Sequence, residues 1–282
     1  MQLREALEHA AARLGAGPHP DRARRDAEML LLHLTGKSHA WLLAHGDEEF
    51  GGCTAVRYAS LVERRLAGEP IQHITGEVEF FGLPFRVTPD VLIPRPETEH
   101  LVEAAIEITR GSEAATIVDV GTGSGAIAIA LAHALQSNRI TAIDLSATAL
   151  SIARDNAERN GVNVRILQGD LLEPVARESF SLVVSNPPYI AETDRPSLSV
   201  EVREYEPAMA LFAGPDGLDI YRRLIPQAFS RLYEGGHILL EIGYGQTPAV
   251  RTLLEQSGFF NVRFLPDLQG IPRVLHAVRG KD

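Results

Sequence analysis

Within VVSNPPYI, residues 183–190, an amide, two prolines and a phenol follow directly on an apolar run. Val183 and Val184 read as the end of a buried strand. Pro187 and Pro188 stop it, since neither can donate to a sheet ladder. Asn186 then offers a side-chain carbonyl, and Pro187 a backbone carbonyl outside any ladder. Two acceptors match the two N–H bonds of a planar NH2 group, and the Tyr189 ring can lie against its π-system. Gripped in this way, the nitrogen aims its lone pair at an incoming electrophile. Amide and aromatic-amine nitrogens are poor nucleophiles, so positioning and stabilisation of developing positive charge are the useful help. A methyl group on a sulfonium suits such a site without a basic catalyst, because the alkylated nitrogen is acidic enough to lose its proton afterwards. Hydride transfer has no use for this device. The plainer reading of NPPY is a tight loop stop.

A second group of residues supplies a place for the electrophile. In VDVGTGSGAIAIA, Gly121, Thr122, Gly123, Ser124 and Gly125 leave a strand and open a helix, so backbone can approach a ligand with no Cβ in the way. With Ala126 the spacing also satisfies the relaxed dinucleotide fingerprint, which keeps a nicotinamide enzyme open on this stretch alone. Asp144 ends the next strand and can accept from ribose hydroxyls, or cap the helix that begins in LSATAL. Asp170, in QGDLL, can receive an adenine amino group with Leu171 covering the base, or simply start a turn. Position joins them: Gly121, Asp144, Asp170 and Asn186 follow successive strands, so a doubly wound sheet brings all four to one edge.

The elements that must hold these residues can be read from periodicity. From residue 116 onward strands and helices alternate: TIVDV, RITAID, VRILQGD, SLVVSN and GHILLEI are strands, with helices between. VRFLPDL and RVLHAVR close the chain as an antiparallel pair at one edge. The expected fold class is α/β, a doubly wound, mainly parallel seven-stranded sheet of Rossmann-like type, with a small N-terminal helical domain. Residues 1–72 read as that helical domain, with Leu3, Leu7, Ala10 and Leu14 on one stripe and Asp21 as a cap before the second helix. Residues 73–92 read as a hairpin connector, a hinge turning at GLP, and 93–282 as the catalytic domain. Pro96 sits in the first turn of a further helix, where its missing N–H costs nothing.

Bulk properties bound the function. A net charge of −10 and a pI near 5.5 argue against a broad grip on nucleic acid. The single cysteine, Cys53, reads as a small apolar filler and forbids an internal disulfide, which fits a reducing cytoplasm. The opening MQLREALEHAA is not a signal peptide, and AIAIALAHAL falls well short of the ~20 apolar residues of a membrane span. The ten histidines form no metal-ligand motif, RARR at 22–25 reads as a solvated helix face, and no G-x-S-x-G elbow appears.

DVGTGSGAIAIAL with NPPYI resembles the class I S-adenosylmethionine-dependent methyltransferases that act on NH2 groups. ITGEVEFFGLPFRVTPDVLIPRPETEHLVE and EYEPAMALFAGPDGLDIYRRL are similar to the HemK/PrmC family, the N5-glutamine methyltransferases of class I peptide-chain release factors. The resemblance implies S-adenosylmethionine bound by Gly121 to Gly125, Asp144 and Leu171, and Asp170 and Asn186, at the same sheet edge, are expected to join them. It implies a substrate glutamine, from a Gly-Gly-Gln loop, held by Asn186, Pro187 and Tyr189, with the helical domain docking the factor; Pro188, and Glu97 near the site mouth, are expected beside it as this reading's own additions. Leu171 stands where relatives often carry an aromatic residue, and Ile271-Pro272 where charged residues are common. A ribosomal-protein glutamine is the nearest alternative substrate, and the run PRPETE favours the release factor. An exocyclic amino group of a nucleic-acid base also fits NPPY, with the tyrosine stacking on a flipped base.

Overall fold

Leu3, Leu7, Ala10 and Leu14 bury one stripe of the helix Leu3–Leu14 against Ala27, Leu30 and Leu31 of the helix Ala23–Thr35. Tyr58 and Val62, from the helix Gly52–Leu66, complete that core. Each fully buried leucine contributes roughly 1.5–3 kcal/mol, which is how a short bundle holds. Gly36 ends the second helix in the left-handed region (φ 67°), its N–H returning to the Leu32 carbonyl. Asp21 does not cap that helix; it lies in a 3-10 turn, Pro20–Arg22, that precedes it. Two short helices, His39–Ala44 and Ile71–Thr75, were not legible from periodicity because each is too brief to show a repeat. Cys53 is exposed, contrary to its reading as an apolar filler.

The structure is a computed structural model and describes residues 1–282 except 113, 137, 268 and 282. By their contacts these separate into two units: Met1–Glu77 with Leu198–Tyr205, and Val78–Ser197 with Glu206–Asp282. In the first unit Arg65 is buried and donates to Asp26 (2.6 Å) and to Glu201, which lies on the distant segment. The Tyr205 hydroxyl donates to the Ala67 carbonyl at 3.1 Å in the same unit.

The second unit is built on a seven-stranded sheet. Its strands are β3 (Thr116–Val120), β4 (Arg139–Asp144), β5 (Arg165–Gln168), β6 (Phe180–Ser185), β7 (Leu232–Glu241), β8 (Phe259–Pro266) and β9 (Pro272–Arg279). The order is β5-β4-β3-β6-β7-β9-β8, with β9 antiparallel to both neighbours and every other pairing parallel. Strand order reverses direction between β3 and β6, which opens a crevice at their carboxyl ends. β3 and β6 are buried almost throughout, as parallel strands covered on both faces must be. The helix Ala126–Ala134 is apolar except for His133, and its first six residues, Ala126 to Leu131, are buried in the core.

The hairpin is β1 (Glu77–Phe80) and β2 (Leu83–Arg86). Its turn is Phe81-Gly82, both at positive φ (53° and 72°), one residue earlier than GLP indicates; Leu83 and Pro84 already belong to β2. Phe80 and Phe85 meet edge to face and enter the core of the second unit. Asn156, fully buried, clamps this hairpin. Its Oδ1 accepts from the Arg86 N–H (2.7 Å), while Nδ2 donates to the Arg86 carbonyl (3.0 Å) and the Ser124 carbonyl (2.9 Å). The hairpin and the glycine loop therefore share one buried amide.

Candidate active site

The glycine loop is held from β4. Gly121 and Thr122 both donate backbone N–H bonds to the Ile143 carbonyl, at 2.9 and 3.0 Å. Gly123 N–H donates to Asp144 Oδ2 at 2.8 Å. Gly121, Gly123 and Gly125 all have positive φ (74°, 55°, 85°), which disfavours any other residue. At Gly125 space is also closed: an added Cβ would stand 2.8 Å from Ile129 Cδ1 and 3.2 Å from Ala153 Cβ. Thr122 and Ser124 are buried; the Thr122 hydroxyl donates to Asp119 Oδ2 at 2.6 Å. Burial pushes the Asp119 carboxyl up to about 7, against the pull of that hydroxyl and the Ala128 N–H.

A cleft of about 210 Å³ opens at the carboxyl ends of β3, β4, β5 and β6. Gly121, Gly123, Asp144, Asp170, Leu171 and Asn186 all line it, together with Pro187 and Pro188. Asp144 Oδ1 accepts from the Ser146 N–H at 2.9 Å, and Ser146, not Asp144, caps the next helix through its own hydroxyl. Burial raises the Asp144 carboxyl, and these N–H bonds pull it back. Asp170 pairs with Arg223, a further cleft residue. Leu171 holds a positive φ of 51°, an uncommon conformation for leucine, and its apolar side chain lies partly buried against the core beneath.

A larger hollow, about 1130 Å³, lies at the opposite edge around Thr116, Arg139, Arg165 and Phe180, where β3 to β6 begin. Strand direction is the better guide than size here, because ligands of open α/β sheets bind outside the carboxyl ends.

Asn186 is anchored from behind. Its Nδ2 donates to Thr98 Oγ1 (3.1 Å), and the Thr98 hydroxyl donates to Glu241 Oε2 (2.7 Å). Among the described residues no group donates to Asn186 Oδ1 or to the Pro187 carbonyl. Thr98 and Glu241 are buried, and burial pushes the Glu241 carboxyl up to about 7. Tyr189 is not part of the cleft wall. It is half-buried beside Glu241, and its carbonyl accepts from Gln246 Nε2 at 2.8 Å. Burial and the Glu241 charge push its phenol up to about 12, so it stays neutral. Glu97 is exposed and outside the cleft wall; the adjacent Thr98 is the residue that meets Asn186.

Thus the structure gathers the loop, Asp144, Asp170, Leu171, Asn186, Pro187 and Pro188 in one crevice, with Tyr189 and Glu97 to the side. Sequence reasoning missed Thr98, Glu241, Arg223 and Asp119. A carboxylate ending the apolar run HILLEI and another inside TIVDV were the signals for two of them; Thr98 and Arg223 lie within the quoted runs PRPETE and GLDIYRRL but carry no individual mark there. The remainder of PRPETE also has partners: Arg95 pairs with buried Glu206 (2.5 Å), and Glu99 accepts from the Phe81 N–H (2.8 Å).

The cleft fits S-adenosylmethionine. It offers two carboxylates for hydroxyl and amino groups and a loop whose glycines at 121 and 123 leave open space where a Cβ would stand. The fold is similar to that of a 16S rRNA methyltransferase of T. thermophilus in complex with AdoMet and guanosine (TM-score 0.54, 21% identity, 72% of this chain and 49% of that one). Residues 98–202 match the methyltransferase small domain, and residues 5–76 the PrmC N-terminal domain. Fold and cleft together define a class I S-adenosylmethionine-dependent methyltransferase. The chain is 45% identical to the release factor glutamine methyltransferase of Moorella thermoacetica over 100% of both chains, and 40% identical to that of Koribacter versatilis over 98% of each. It belongs to the release factor glutamine methyltransferase family. No helix among the described residues is long and apolar enough to cross a membrane.

Proposed function

We propose that this enzyme transfers the methyl group of S-adenosylmethionine to the side-chain amide nitrogen (N5) of the glutamine in the Gly-Gly-Gln loop of class I release factors. The observation that carries the reading is the free Asn186 Oδ1 beside the glycine-lined cleft, its amide anchored through Thr98. Asn186 Oδ1 and the Pro187 carbonyl accept the two N–H bonds of the glutamine amide, and in this reading the Tyr189 ring, which stands outside the wall of the donor cleft, packs against the amide plane. Gly121 to Gly125, Asp144, Asp170 and Leu171 hold the methyl donor on the other side. Bound donor supplies an electrophilic methyl carbon on a sulfonium. The two acceptors orient the nitrogen lone pair and stabilise positive charge as it develops. Water at the cleft mouth takes the surplus proton, so no buried base is needed.

The N-terminal helical unit, residues 1–72 in this reading, docks the release factor. The substrate is a translation factor, which places the work in the cytoplasm. Nucleic acid has no part in this reading, in keeping with a net charge of −10. Incubation with labelled donor and a class I release factor should label the factor, and replacing its Gly-Gly-Gln glutamine by alanine should abolish the label. Label appearing on DNA or RNA instead would overturn the assignment.

A further inference from the structure

Thr98 has one hydroxyl proton, and its direction decides which way the Asn186 amide faces. An ionised Glu241 can only accept, so it draws that proton, at 2.7 Å. The Thr98 oxygen is then an acceptor toward Asn186, at 3.1 Å, and the amide must present its NH2 inward and its Oδ1 to the cleft. If the group at 241 donates instead, the chain of bonds can run backwards. Thr98 then gives its proton to Asn186 Oδ1, and the amide turns its NH2 toward the cleft. A donor there cannot grip the N–H of an incoming amide.

We propose that Glu241, acting through Thr98, is the positioning residue that keeps the Asn186 carbonyl facing the substrate. This rests on the assignment of Asn186 to the target nitrogen. Glu241 is not part of the cleft wall, so its effect falls on catalysis and not on donor affinity. A proton on Glu241 has the same consequence as an amide there, since both donate.

Glu241 ionises in a crowded setting. Burial is the largest influence and pushes it up to about 7; the Thr98 hydroxyl, Arg273 on β9 and Asn186 pull down, and Glu97 pushes up. Tyr189 and Tyr221 also face it, both neutral, and the Tyr221 hydroxyl donates to the Glu241 backbone carbonyl at 2.7 Å. Arg273 is itself bonded to Asp267 (3.1 Å). The working form is the carboxylate, so kcat should fall as pH drops below about 7, approaching tenfold per pH unit.

The test compares Glu241→Gln, Thr98→Val and Thr98→Ser with the parent, in kcat on saturating release factor from about pH 5.5 to about pH 8.5. Asn186→Ala serves as reference, and thermal midpoints and donor Kd are measured alongside. Glu241→Gln should lose about 10- to 100-fold in kcat and flatten the acid limb, with donor Kd within about twofold. Thr98→Val should match it, and Thr98→Ser should recover most of the lost rate. Should Glu241→Gln fail to fold, the Thr98 pair decides. If Asn186→Ala is slow while Glu241→Gln and Thr98→Val keep the parent rate and pH profile, the positioning role is overturned and the proposed function stands. An Asn186→Ala enzyme as fast as the parent overturns the underlying assignment.

Discussion

Both units bury ion pairs, Arg65 with Asp26 and Glu201 in the helical unit and Arg95 with Glu206 in the sheet unit. The sheet unit also buries carboxyls bonded to no cation among the described residues. In the helical unit Arg65, its side chain 1% exposed, is bonded to Asp26 and Glu201, so the buried charges are met by opposite charges. In the sheet unit Asp119 and Glu241 are as deeply buried, yet each is met by a threonine hydroxyl and neither is bonded to a cation among the described residues. Both carboxyls are pushed up to about 7. Paired charges cancel and hold one arrangement over a wide pH range. Unpaired carboxylates under hydroxyls cost stability, and they stay responsive to a single proton. The first serves as a fastener and the second as part of a site.

The contrast can be broken, or sharpened, at four positions. Arg65→Met leaves Asp26 and Glu201 without their cation and should destabilise the helical unit by about 3–5 kcal/mol. Trp41, the only tryptophan, packs against that unit's core, so its fluorescence in urea reads the loss selectively. Donor binding in the sheet unit should barely change; an unmoved Trp41 transition would remove the fastener from the account. Asp119→Asn tests the other half. The Asp119 pKa lies above its unfolded value near 4, so the folded chain holds the extra proton between those values. Stability therefore falls as pH rises from about 4 to about 7 and levels off above. The difference in urea stability between variant and parent should shift toward the variant by on the order of 4 kcal/mol across that window.

Smaller effects are expected inside the cleft. Asn186→Ala removes one acceptor and should cost roughly 1–3 kcal/mol of catalysis, about 10- to 150-fold in turnover, with donor affinity far less affected. Asp144→Asn should raise the donor Kd by about tenfold, near 1.4 kcal/mol, and leave release-factor docking alone. Calorimetric titration of donor against each variant separates the two; a reversed pattern would mean the roles have been exchanged.

Much of the sheet unit was legible because its signals are local. Glycines after TIVDV, a carboxylate after RITAID and NPPY after SLVVS each follow a strand, and strand direction alone carries them to one edge. Thr98 was not legible, because its partners are 88 and 143 residues away and a threonine in a turn carries no mark. The same holds for Leu198–Tyr205. Nothing in SVEVREYEP announces that Glu201 completes a buried cluster around Arg65, 136 residues earlier. The hairpin turn moved by one residue because Phe81 takes a positive φ that sequence would assign to glycine alone.

Leu198–Tyr205 has one more consequence. The polypeptide passes from one unit to the other at three junctions, after Glu77, Ser197 and Tyr205. A fragment cut at residue 77 would leave Arg65 without Glu201 and the Ala67 carbonyl without the Tyr205 hydroxyl. The bundle is therefore not a portable module: grafted onto another enzyme by its N-terminal stretch alone, it would arrive with a piece missing.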